Sequence, residues 1–150
     1  MHHNVTIKQL QTMLRNKELS ARELAQYYLK RIEKFDSALN SFTHVNPEIT
    51  LAMADRADQM IAEDQFQPLT GIPMGLKDLF VTREMPTTCG SKMLEGYMSP
   101  FDATLAKRFI DAGGVVLGKN NMDEFAMGSS NETSYYGNCL NPWDTDYVPG

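Results

Sequence analysis

Histidine, cysteine and long apolar runs are scarce in this sequence, and each scarcity removes a class of function. The only two cysteines, Cys89 and Cys139, lie far apart with no Cys-x-x-Cys pair, so neither a zinc ribbon nor a dithiol redox motif can be assembled, and both read as free thiols. Of the three histidines, His2 and His3 sit at the terminus and His44 falls in a strand pattern, where a structural role is expected. A His–Ser triad and a His-Glu-x-x-His zinc helix are therefore excluded. No stretch of about eighteen apolar residues occurs, and the start, Met1-His2-His3-Asn4-Val5-Thr6, lacks the basic and apolar regions of a signal peptide. A cytoplasmic protein without a membrane segment is the expectation. The sequons Asn4-Val5-Thr6 and Asn131-Glu132-Thr133 then carry no meaning. Basic clusters are missing too: 19 acidic residues against 14 Lys and Arg give a net charge of −5, which argues against direct nucleic-acid binding.

What is present suits a globular α/β chain, with 42% hydrophobic residues over 150 positions. Thr6 can cap a helix carrying Ile7, Leu10 and Leu14. Ser20-Ala21-Arg22-Glu23 has capping-box spacing, and Leu24, Tyr28, Ile32 and Phe35 place one apolar stripe on the helix that follows. Residues 40–45 alternate like a short strand. Pro47-Glu48 suits the opening of a third helix with Leu51, Ala54, Ala57 and Ile61 on one side. Pro68, Gly71, Pro73 and Gly75 then punctuate a loop feeding a buried strand. Turn formers dominate 83–100, with room for a short helix at most. Asp102 is placed to cap a further helix whose Leu105, Phe109 and Ile110 face inward and which Gly113-Gly114 closes; the strand Val115-Val116-Leu117 follows. Strands alternating with helices predict an α/β fold with partly parallel pairing.

Gly113-Gly114-Val115-Val116-Leu117-Gly118-Lys119-Asn120 comes within one residue of a phosphate-binding loop, but Asn120 stands where a metal-holding Ser or Thr belongs. The residues between the glycines are β-branched and apolar, as in a core strand, so the phosphate reading is rejected.

Two stretches carry chemistry. Lys77 lies within the otherwise apolar Gly71-Ile72-Pro73-Met74-Gly75-Leu76-Lys77-Asp78-Leu79-Phe80. A buried lysine loses the solvation that favours its charge, and an amine that can be neutral can take a proton from a hydroxyl nucleophile. Asp78 would not cancel this, because neighbours on a strand point to opposite faces. The alternative, a solvated Lys77–Asp78 pair at a strand end, is the better reading on composition alone. The second stretch runs from Gly118 to Ser130, where a strand gives way to polar residues, a short helical piece and small residues, as at strand ends that line α/β sites. Met127, Gly128 and Ser129, with Ser130, offer close backbone approach and hydroxyls suited to a small polar group such as a carboxamide. An ordinary Ser-Gly turn fits the same residues, and fits them better on composition alone.

Together these stretches resemble the amidase-signature family, whose lysine stands in the Gly71-to-Asp78 pattern and whose second block matches Gly118 to Ser130. Thr88-Cys89-Gly90-Ser91, Asp102-Ala103-Thr104 and Asn141-Pro142-Trp143-Asp144 are further family-like pieces in the same order. The likeness runs from about Leu69 to Gly150. Within the family, Asn121 to Ser130 followed by Tyr135-Tyr136-Gly137-Asn138 is most similar to the tRNA-dependent amidotransferase branch.

The resemblance implies the amino-terminal part of the amidase-signature fold: a mixed sheet covered by helices, incomplete in this chain, with 1–66 mainly helical and 67–150 opening the catalytic α/β core of one domain. It also implies a Ser–cis-Ser–Lys triad in which Lys77 acts through the middle serine, with both serines beyond Gly150, so that these 150 residues alone are expected to be inactive. The expected substrate is glutamine, whose ammonia goes to amidotransferase subunits B and C in a heterotrimer. No cofactor is expected in this chain; ATP and magnesium are implied for the partner, and tRNA contact through the partner only. The alternatives are a stand-alone amidase of the same family and a non-catalytic, partner-binding fragment.

Overall fold

A computed structural model describes residues 5–150; His2, His3 and the Asn4 sequon lie outside the described residues. Helix α1 (Ile7–Arg15) starts at a reciprocal cap in which Thr6 Oγ1 accepts from the Gln9 amide and Gln9 Oε1 accepts from the Thr6 amide at 2.8 Å. Helix α2 (Ala21–Leu39) repeats the device with Ser20 and Glu23. It gains a second cap from α3 (Pro47–Ala62), whose Asp58 carboxylate accepts from the Ala21 and Arg22 amides at 2.7 and 3.0 Å. Those amides have no intrahelical partner, so one carboxylate both satisfies them and fixes how α2 and α3 meet. Asn46 caps α3, with Pro47 at the first helical position.

Three strands form a mixed sheet in the order β1 (Phe42–His44), β3 (Val115–Asn120), β2 (Pro73–Lys77). β1 runs antiparallel and β2 parallel to the central β3. The parallel pair is joined through α4 (Thr104–Asp111) and the long turn-rich connection that precedes it, which holds one short 3-10 turn at Lys92–Leu94. Val115 and Val116, neighbours on β3, enter separate clusters, as strand alternation demands. Val115 packs with Leu10, Leu14, Leu24, Ala54, Ala57 and Ile72, and Val116 with Leu76, Met85, Ala106 and Phe109. This is the expected α/β architecture, with strand β3 running through Gly118-Lys119-Asn120 rather than forming a phosphate loop.

Four expectations need correction. Asp102 does not cap α4; its carboxylate accepts from the Arg83 amide and guanidinium, and Ala103 occupies the cap position without a side-chain bond. Leu105 is 48% exposed, since the inward stripe of α4 runs through Ala106 and Phe109. Phe35 is 41% exposed, because the last turns of α2 pass beyond the described core. Strand β2, a sheet edge among the described residues, is half-buried over Pro73–Gly75, buried at Leu76 and exposed at Lys77.

Replacing Ser20 by Ala removes a cap and should lower stability by about 1 kcal/mol. Ile7→Ala should cost less than about 0.5 kcal/mol, since Ile7 is 58% exposed. Chemical denaturation of the two variants checks the contrast.

Candidate active site

The carboxyl ends of the parallel strands β2 and β3 lie side by side, with Lys77 opposite Asn120. Ligands of α/β proteins gather at such ends. The backbone continues the pairing by one residue, the Asp78 amide donating to the Asn120 carbonyl at 3.1 Å. From here the side chains diverge. Lys77 is exposed, and its ammonium makes no hydrogen bond or ion pair among the described residues, whereas Asp78 is fully buried. The opposed faces expected for Lys77 and Asp78 are present, but neither reading of the pair holds whole: Lys77 is exposed rather than buried, and Asp78 is buried rather than solvated.

The buried lysine is instead Lys119, with no exposed surface. Its Nζ lies 3.2 Å from Asp78 Oδ1 and donates to Thr87 Oγ1 at 2.7 Å and the Pro86 carbonyl at 3.2 Å. Asp78 Oδ2 accepts from Thr43 Oγ1 (2.9 Å), the Thr88 amide (3.2 Å) and Thr88 Oγ1 (2.5 Å). Oδ1 has no directed hydrogen bond and is compensated by the ammonium charge alone. Burial pushes the Lys119 ammonium below the ordinary lysine range, opposed by the attraction of Asp78 and more weakly by Cys89. The same burial, helped by Asp78, raises the Cys89 thiol, so Cys89 is not an activated thiolate nucleophile. His44, paired with Lys119 across the sheet, is pushed down by its own burial.

Around this pair the loops interlock. The Cys89 amide donates to the Asp78 carbonyl, and the Cys89 and Gly90 carbonyls accept from the Phe125 and Tyr135 amides. Gly90 has a φ of +67°, and a Cβ there would come within 2.5 Å of the Met122 carbonyl, so the close approach of the two loops requires glycine. Ser91 Oγ donates to Glu124 at 2.6 Å. Beyond β3, Asp123 organises the second block: its carboxylate accepts from the Asn131 amide, the Thr133 amide and Thr133 Oγ1 at 2.9, 3.2 and 2.9 Å. Those bonds, led by the Asn131 amide, hold the Asp123 carboxyl below its ordinary range. The expected binding residues Met127, Gly128 and Ser129 form the exposed rim of this loop, and Ser130 bonds to Glu132. Asn40 and Asn121 tie the loop's far end to α2, through Asn40 Nδ2 to the Tyr136 carbonyl and Asn121 Nδ2 to the Gly137 carbonyl. Lys77 and the Gly118–Ser130 block are thus brought to one end of the sheet, joined through 86–91.

The family model for amidases matches residues 23–150. The chain belongs to the amidase family. It is 54% identical over 147 residues to the A subunit of the glutamyl-tRNA(Gln) amidotransferase of Methylobacillus flagellatus, covering 98% of this chain and 30% of that protein. The peptide amidase of Stenotrophomonas maltophilia superposes with a TM-score of 0.89 at 34% identity, over 99% of this chain and 32% of that one. The A subunit of the glutamyl-tRNA(Gln) amidotransferase of Thermotoga maritima gives 0.76 at 35% identity, over 98% and 29%. The chain therefore spans about a third or less of the length of the relatives it matches. No described helix is long and apolar enough to cross a membrane.

Lys119→Met leaves a buried carboxylate without its counter-charge and should cost about 3–5 kcal/mol. The same change at exposed Lys77 should stay within about 0.5 kcal/mol. Equilibrium unfolding of the two variants separates the two lysines. For Asp123 the native state prefers the carboxylate, so its contribution is present above the unfolded carboxylate pKa of about 4 and is lost as pH falls through the lower folded value. Exchange of the Asn131 and Thr133 amides should therefore accelerate in acid before global unfolding, as hydrogen-exchange NMR can read.

Proposed function

We propose that this chain is the lysine-bearing segment of a glutamine amidohydrolase that supplies ammonia within a tRNA-dependent amidotransferase. The observation that carries the reading is the 54% identity to the A subunit of a glutamyl-tRNA(Gln) amidotransferase over 98% of the chain. Lys77 stands at the carboxyl end of β2, opposite Asn120, with its amine exposed among the described residues, and the reading requires the rest of the complete protein to cover that amine so that it can be neutral. In this reading Lys77 takes a proton, through a bridging serine, from the serine hydroxyl that attacks the side-chain amide of glutamine. Ammonia leaves, a glutamyl ester remains on the enzyme, and water releases glutamate. The amidase-signature resemblance puts both serines beyond Gly150, and Met127, Gly128 and Ser129 would contact the substrate. Glutamine hydrolysis would serve subunits B and C of a heterotrimer in the cytoplasm, with ATP and magnesium used by the partner to activate mischarged tRNA. No described cluster of three or more His, Cys, Asp or Glu side chains could hold a metal.

A stand-alone amidase is the second reading, favoured by the higher backbone similarity to the peptide amidase than to the Thermotoga protein, 0.89 against 0.76 at nearly equal identity. Both readings need the same lysine. Lys77→Ala in the complete protein should lower glutamine hydrolysis by at least about 10³-fold with the fold intact, and the 150 residues alone should show no turnover. Retained turnover by the Lys77→Ala protein would remove Lys77 from the mechanism. Hydrolysis of simple amides with no response to co-purified subunits or tRNA would select the stand-alone reading.

A further inference from the structure

Lys77 has no side-chain partner of its own among the described residues, so something else must fix where its amine points. The adjacent residue is held from every side. Asp78 donates its amide to β3 and accepts at its carbonyl from Cys89; its carboxylate takes three hydrogen bonds from Thr43 and Thr88 and faces the Lys119 ammonium. We propose that Asp78, locked by Thr88, Thr43 and Lys119, is the positioning residue for Lys77: pinning its side chain beneath the sheet edge forces the Lys77 side chain out of the opposite face at one fixed place.

Two further features support this. The pairing of β2 with β3 shifts register between Met74 and Gly75, just before Lys77. The residue left over is Leu117 on β3, so Lys77 and Asp78 meet β3 in the shifted register, which the bond from the Asp78 amide to the Asn120 carbonyl and the contact of Asp78 with Lys119 hold. The anchor here is ionic and built of directed bonds, where an apolar contact would tolerate sliding along the strand. A buried ion pair is weak evidence for stability, but it does specify geometry, and here it specifies the residue beside the amine. Thr88 belongs to the same Thr88-Cys89-Gly90-Ser91 segment whose Cys89 and Gly90 carbonyls accept from the Phe125 and Tyr135 amides, so the lock also joins Asp78 to that loop.

The inference rests on the assignment of Lys77 as the proton acceptor, and the test separates the two. In the complete protein with its co-purified subunits, Thr88→Val removes one hydroxyl from Asp78 with little change of volume, Thr88→Ser keeps it, and Asp78→Asn removes the charge. With L-glutamine as substrate, Thr88→Val and Asp78→Asn should lower kcat on the order of 10²-fold, as a displacement of roughly 1 Å at a reacting group does, with KM nearly unchanged. Thr88→Ser should recover most of the loss. Should Asp78→Asn fail to fold, the Thr88 pair still decides. Wild-type kcat in Thr88→Val, or equal impairment of Thr88→Ser and Thr88→Val, overturns the positioning role, provided that Lys77→Ala is inactive. Activity in Lys77→Ala overturns the underlying assignment instead.

Discussion

The buried Lys119–Asp78 pair is the constraint on which this end of the molecule depends. Taking two charges out of water costs several kcal/mol each, and mutual attraction offsets this only where the remaining donors and acceptors are matched. The structure meets most of that condition, leaving only Asp78 Oδ1 to the ammonium charge, by bringing β1 through Thr43, β2 and the residue after it through Asp78, β3 through Lys119 and the following connection through Pro86, Thr87 and Thr88 to one point. None of those elements can move alone without leaving a buried charge uncompensated. The pair thereby turns three short strands, which bury little by themselves, into a fixed platform for the loops.

Strand alternation then divides the chemistry. Of two consecutive residues, Asp78 is spent on structure below the sheet edge and Lys77 is left free above it. Placing a buried and an exposed charge side by side works only because the first is neutralised locally; an unpaired Asp78 would act on everything near it in a medium of low dielectric. Lys119 supplies that neutralisation from the neighbouring strand, and its lack of any exposed surface keeps it out of reach of a substrate.

The parts of the fold governed by local chemistry were legible in the sequence. The Thr6 cap, the Ser20–Glu23 capping box, the proline-opened α3 and the short 3-10 turn within 83–100 follow from residues a few positions apart, and they formed where those residues stand. What escaped depends on residues distant in sequence. Asp102 was as good a cap as Thr6 by composition, but Arg83, nineteen positions away, claims its carboxylate. Phe35 belongs to a valid apolar stripe whose end passes beyond the core described here. Lys77 has apolar neighbours yet stands exposed, whereas Lys119, with two valines and a leucine shortly before it, is buried where the sequence reads as the polar start of a loop. The signal that could have found it is the length of the buried strand: β3 is buried from Val115 to Lys119, so the Lys119 charge needs a partner there, and Asp78 is the acid at the end of the strand beside it.

Backbone and sequence answer different questions in this chain. The backbone places the strands, the ion pair and Lys77, and it is shared closely with a peptide amidase at 34% identity. Some groups are carried by the platform without supporting it. Met127, Gly128 and Ser129 have that character: they sit at the exposed rim of a loop whose shape is fixed elsewhere, by Asp123 at its base and by Asn40 and Asn121 at its far end. Gly128 is the exception that shows the limit of this freedom. A Cβ there would run into the Asp123 carboxylate, so the rim can vary in its side chains at 127 and 129 but not in the close packing between them.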